Sequence, residues 1–126
     1  MIKIPVSIGE IIDKLSILQI KKNKINNFEK LKLINKEFEL LYEISSHYLG
    51  DDEILKLYHQ LIEVNSKLWE VEDELRIIES TKNFDTVFIE LARKVYRTND
   101  DRFLLKNKIN ELTSSEIREV KNYVKY

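Results

Sequence analysis

From Ile54 to Ile78 the apolar residues fall at Ile54, Leu57, Leu61, Val64, Leu68, Val71, Leu75 and Ile78, in unbroken steps of three and four. Such a run lines one side of a 3.6-residue helix and cannot alternate across a strand. It predicts a helix over residues 52–79, roughly 40 Å long at about 1.5 Å per residue. Four further runs repeat the pattern. Ile8, Ile11, Leu15, Leu18 and Ile25 predict a helix over 8–25. Leu31, Ile34, Phe38, Leu41 and Tyr48, widened by Leu33, Leu40 and Ile44, predict one over 28–48. Phe88, Leu91, Val95, Leu105, Ile109 and Leu112 predict one over 85–112, and Ile117, Val120 and Val124 a short tail helix over 114–124.

The punctuation between the runs agrees with these limits. Ser7-Ile8-Gly9-Glu10 is a capping box: the Ser7 hydroxyl can accept from the Glu10 N–H while the Glu10 carboxylate reaches back to the Ser7 N–H. Asn26-Asn27 breaks the chain. Gly50 is expected to end the second helix in a left-handed conformation. Asp51-Asp52 caps the third helix at its positive end. Ser80 to Asn83 interrupts again, and Thr113-x-x-Glu116 forms a second capping box. Two glycines and one proline in 126 residues leave too little turn chemistry for a many-stranded sheet.

These observations define one domain over residues 1–126. It is all-α, an antiparallel up-down bundle of four long amphipathic helices plus the tail helix, with coiled-coil-like packing. The last two helices outrun the first two. Part of their apolar seam is therefore expected to meet a partner, with a homodimer the expected state.

Charge excludes several functions. Lys and Arg number 21 against 22 Asp and Glu, a net charge of −1 with both signs interspersed. A duplex-binding protein needs a basic stripe, so no nucleic acid partner is expected. Lys21, Lys22, Lys24, Lys30 and Lys32 at the first junction read as a solvated cluster. Cysteine is absent, so no disulfide or thiolate site exists, which suits a cytoplasmic protein. Met1-Ile2-Lys3-Ile4-Pro5 is too short for a signal peptide, and no apolar run reaches membrane-spanning length; no membrane partner is expected.

The chemistry-bearing candidates are polar residues on apolar faces. Gln19 and Lys22 fall in the arc of the first helix, Asn65 and Glu72 flank the seam of the third, and Thr98 and Arg102 sit in the seam of the fourth. Buried cations need charge partners, and Glu72 is the nearest candidate by position. One reading is a pocket between helices for a small polar or anionic ligand, formed by Gln19, Lys22, Glu72, Asn99 and Arg102. The others are a polar layer fixing register, or cations that snorkel to the surface.

Glu39, Glu43 and His47 on the second helix and His59 and Glu63 on the third stand at steps of four, but Glu43, His47, His59 and Glu63 fall on the solvent side, and the spacing Glu-x-x-x-His departs from the di-iron pattern. No metal and no cofactor are expected. Glu70-x-x-Asp73 supplies only half of a pyrophosphohydrolase carboxylate set, and Gly9 and Gly50 are too isolated to form a phosphate loop. Tyr58, Trp69, Tyr96 and Phe103 flank the seams of the third and fourth helices and read as core or interface.

Two stretches carry a resemblance. One runs from Val6 to Leu18, VSIGEIIDKLSIL. The other joins Leu68 to Arg76, LWEVEDELR, with Phe88 to Asp100, FIELARKVYRTND. Together they resemble an uncharacterised family of small bacterial and phage proteins, the domain of unknown function numbered 6165, over most of the chain to about Leu112. The resemblance implies no established activity and no catalytic residues. It implies a self-contained cytosolic protein with a phage or marine bacterial source. It also draws attention to Glu72, Asp73, Arg93, Asn99 and Arg102, which lie in the matching stretches or close beyond them.

The functional expectation is a non-enzymatic, self-associating module that docks a partner through the 52–112 hairpin. A polar ligand binder or enzyme using the mid-bundle layer is the alternative, and a virion or assembly component is a third.

Overall fold

The computed structural model describes residues 1–126 and is entirely helical, without strands. Its helices are α1 (Ile8–Lys24), α2 (Phe28–Leu49), α3 (Asp52–Thr81) and α4 (Thr86–Leu112). Each opens on a side-chain cap that satisfies an otherwise orphaned N–H. Ser7 Oγ accepts from Glu10 N at 3.1 Å, Asn27 Oδ1 from Lys30 N at 3.0 Å, Asp51 Oδ1 from Glu53 N at 2.9 Å, and Asp85 Oδ1 from Val87 N at 3.0 Å.

α1 lies at the centre and packs on all three other helices; α2 packs on α1 and α3 but not on α4. The core follows from the apolar runs. Ile12 and Leu15 of α1 meet Leu57, Tyr58 and Leu61 of α3 and Ile109 of α4, with Phe38, Leu41 and Tyr48 of α2 closing one side. The buried residues of α3 all precede Leu68, and those of α4 beyond Leu91 start at Lys106. The distal halves of α3 and α4 therefore form an arm, supported mainly by each other, that carries Ile77, Phe84, Val87 and Ile89 more than half exposed.

Four expectations are corrected here. The tail helix does not form: residues 113–126 leave α4 as irregular chain. Thr113 is the C-cap of α4, and its hydroxyl donates to Ile109 O at 2.7 Å instead of opening a new helix. Ser114 takes a left-handed φ of 51°. An eleven-residue helix built on β-branched Ile117, Val120 and Val124 is also intrinsically weak.

Gly50 is right-handed, with φ −67° and ψ −18°. The left-handed helix end is instead Lys82, which caps α3 at φ 55°. The α2–α3 connection is only Gly50–Asp51, and Asp51 N donates back to Tyr48 O at 3.1 Å, a tight turn that needs no positive φ. Leu33, Leu40 and Ile44 do not widen a buried stripe; they stay exposed because α4 never reaches α2. The first capping box is half formed. The Glu10 carboxylate turns from Ser7 to Lys106, 2.8 Å away.

Candidate functional site

The buried polar residues gather where α1, α3 and α4 meet. Asp13 sits on the apolar arc of α1 between Gly9 and Ser16, and is only 1% exposed. A carboxylate at that depth must be paired. Arg102 of α4 binds it through two N–H groups, Nε to Oδ1 at 2.9 Å and Nη2 to Oδ2 at 2.5 Å. Asn65 of α3 donates to the same Oδ1 at 2.9 Å and to Ser16 Oγ at 2.8 Å. Ser16 in turn donates to the Asp13 carbonyl at 2.6 Å. Three helices are thus fastened by one carboxylate. The hydrogen bond to Asp13 raises the Arg102 pKa above its ordinary value; burial opposes this, and the charges of Asp13, Glu10 and Glu119 add to it.

A second cation, more deeply buried than Arg102, lies one turn along α4. Lys106 Nζ reaches Glu10 Oε2 and Glu119 Oε2, each at 2.8 Å. Burial would lower its pKa, but the hydrogen bonds to Glu10 and Glu119, with the charges of Glu10 and Asp13, hold it raised. Beside it, the start of α1 is sealed against the end of α4. Gly9 N donates to Asn110 Oδ1 at 2.7 Å and Ile8 N to Ser115 Oγ at 3.3 Å. The tail then runs back along α4. Lys121 lies over the Phe103 ring at 5.4 Å, Tyr126 stacks edge-on against Tyr96 at 5.2 Å, and its hydroxyl donates to Asp100.

Above the Asp13–Arg102 pair opens a groove of about 550 Å³. Ile17 and Ile20 of α1 line it with Asn65, Leu68, Trp69, Glu72, Asp73 and Arg76 of α3 and Asn99 and Arg102 of α4. Its volume falls within the about 300–1,000 Å³ typical of small-molecule sites. Arg102 has five N–H donors and uses two on Asp13, so three remain without a protein partner.

The residues proposed for a ligand pocket divide. Glu72, Asn99 and Arg102 line the groove together. Gln19 does not: its amide donates to Asn23 at 3.3 Å. Lys22 does not either: its ammonium lies 4.0 Å from the centre of the Phe38 ring, a cation–π contact toward α2. Nor is Glu72 the partner of either cation, since its carboxylate pairs with Arg76, one turn along the same helix, at 2.5 Å.

Of the aromatics considered for an interface, Tyr58 is buried in the core, Trp69 lines the groove, and Tyr96 and Phe103 meet the tail. His47 packs on Tyr48 and His59 beside Tyr58; no three or more His, Asp or Glu groups converge as metal ligands. No helix is long and apolar enough to cross a membrane. Sequence reasoning missed Asp13 and Lys106, the two most deeply set charges of the cluster. For Asp13 a signal existed, since its helical neighbours four before and three after are the small residues Gly9 and Ser16.

Fold and groove together define an all-helical protein whose central helix is tied to its neighbours by buried ion pairs beneath an open polar cleft. The chain belongs to the family described as Family of unknown function (DUF6165), whose model matches residues 2–125. No curated protein and no solved structure matches it.

Proposed function

We propose that the chain works by association rather than catalysis, self-associating through the distal arm of α3 and α4 and presenting that assembly to a partner protein. The observation that carries this reading is surface. The chain exposes 9115 Å². A compact monomer of 15.1 kDa would expose about 7,100 Å² by the usual mass scaling. The surplus of about 2,000 Å², shared between the irregular terminal segments and the arm, exceeds the roughly 800 Å² that each partner buries in a standard interface. Ile77, Phe84, Val87 and Ile89 give the arm the apolar anchors such an interface needs.

The helices of this reading run antiparallel to their chain neighbours with near-coiled-coil crossing. The short connections support it, as does the grip of Asp13 on Asn65 and Arg102, which lie equally far in sequence from the α3–α4 connection. The bonding of Asp13 favours a structural role. Its oxygens accept from three donors on two other helices and act as a fastener.

Light scattering on the full chain tests the reading. A mass twice 15.1 kDa is expected, falling to the single value in the Ile77→Lys, Phe84→Asp double variant. A wild-type chain that stays monomeric up to about 100 μM, where even a micromolar dimer would be populated, overturns it.

A second reading has its own support. The three unengaged N–H groups of Arg102 beside a 550 Å³ groove suit a small polar ligand held between α1, α3 and α4.

A further inference from the structure

We infer that the groove between α1, α3 and α4 takes a single sugar ring, uncharged or amino-substituted, with one face laid against Trp69. The inference rests on the ligand-binding reading above and names the chemistry of that ligand.

Charge decides first against anions. Arg102 is neutralised by the bidentate carboxylate of Asp13 behind it, and Arg76 by Glu72. Asp73 remains, so the site carries a net negative charge with no free cation. An approaching phosphate or carboxylate would meet two guanidinium groups already paired and two acidic side chains. An uncharged or cationic ligand meets no such opposition.

Hydrogen-bonding capacity decides next. Arg102 offers three N–H donors and Asn99 an amide with both donor and acceptor atoms, while Glu72 and Asp73 offer acceptors. A hydroxyl both donates and accepts, so a ring carrying several of them can answer both ends of the groove. A purely apolar ligand would leave these groups desolvated without partners, at a cost for each.

The remaining wall is Trp69, backed by Leu68 and by Ile17 and Ile20 of α1. A flat indole face suits the C–H face of a pyranose, and its negative quadrupole favours a nearby ammonium. Amide, guanidinium and carboxylate groups that line one groove with an aromatic side chain are suited to paired hydroxyls on a ring. Asp13, itself held by Asn65, fixes Arg102 in place, which lowers the ordering cost of binding.

Trp69 is the only tryptophan in the chain, so its emission reports on this groove alone. The test titrates the full chain with methyl hexosides and amino hexosides, and with hexose phosphates as the anionic arm, each up to about 10 mM, beyond the millimolar end of the affinity scale. The expected result is a saturable emission change with one or more sugars of the first two classes. Asn99→Ala and Asp73→Asn, both at surface-accessible positions, should each weaken it about tenfold, the loss of roughly one strong hydrogen bond. Glu70→Gln, exposed and outside the groove, should leave it unchanged. Saturation by hexose phosphates alone overturns the sugar assignment while keeping a ligand groove. Silence across the panel overturns both, and an equal loss in Glu70→Gln shows that the signal does not come from this site.

Discussion

Gly9→Ala is the substitution on which two physical effects predict opposite signs. Gly9 lies in the first turn of α1, where alanine improves helix propensity by up to about 1 kcal/mol. Read alone, that makes the variant more stable. The packing says otherwise. A Cβ at this position would lie 2.4 Å from the Lys106 carbonyl oxygen and 2.9 Å from Asn110 Oδ1, where ordinary contact begins near 3.4 Å. The first obstacle is backbone of α4 and cannot rotate away. Relief requires the two helices to separate, at about 1–3 kcal/mol for overpacking of this kind. Separation also stretches the buried bond from Gly9 N to Asn110 Oδ1, now 2.7 Å. Losing that bond adds about 1–3 kcal/mol. The net is a destabilisation of about 3 kcal/mol, and a Tm lower by about 10 °C for a chain of this length. Urea and thermal unfolding followed by circular dichroism measure it. A Gly9→Ala protein as stable as the wild type, or more stable, would refute the close approach of α1 to α4.

Arg102→Leu should cost about 3–5 kcal/mol, because it leaves the buried Asp13 charge without its cation, and an added Asp13→Leu should recover much of the loss; strictly additive urea-unfolding energies would contradict the pairing. Stability should fall above about pH 10. Lys106 is raised, its hydrogen bonds to Glu10 and Glu119 outweighing burial, and Tyr58 is raised by burial and then by the charge of Tyr42. Both groups then keep protons in the folded state that the unfolded chain has released, so the slope of stability with pH is negative there. Urea midpoints measured across this range should show the fall, and Tyr58→Phe should flatten part of it. Ser115→Ala removes the acceptor for Ile8 N and should cost about 1 kcal/mol, with faster hydrogen exchange at the Ile8 amide.

What the sequence displayed and what it hid divide along one physical line. Helix positions were legible because they rest on local patterns. The apolar runs, the capping signals at Ser7 and Asp51-Asp52, and the breaks at Asn26-Asn27 and Ser80 to Asn83 mark α1 to α4 almost to the residue. Arg102 and Glu72 were recognisable as polar groups at or beside the seams, and they share one groove with Asn99, to which the family resemblance drew attention. Which charge meets which was not legible. The partner of Arg102 lies 89 residues away at Asp13, whereas Glu72 is satisfied four residues along its own helix. Nothing in the local pattern separates those cases.

The tail shows the same limit from the other side. Thr113-x-x-Glu116 is a valid local signal for a helix start. It loses because Thr113 is taken up by the end of α4, while Ser115 is held between Ile8 N and Ile117 O. Lys22 lies away from the groove because α2 offers it an aromatic face that no helical wheel of α1 alone could reveal, and Gln19 because its amide is taken up by Asn23 of its own helix.

The seal between the two ends has a kinetic meaning. The amides of Ile8 and Gly9 find their acceptors 107 and 101 residues further on. During synthesis α1 emerges before α4, and two amides of its opening turn stay without these acceptors until Asn110 and Ser115 have left the ribosome. Closing so long a loop slows folding, and it couples completion of the earliest helix to arrival of the latest. A nascent chain stopped before residue 110 should therefore hold α1 frayed at its start, and the protein should mature in a single late step rather than helix by helix.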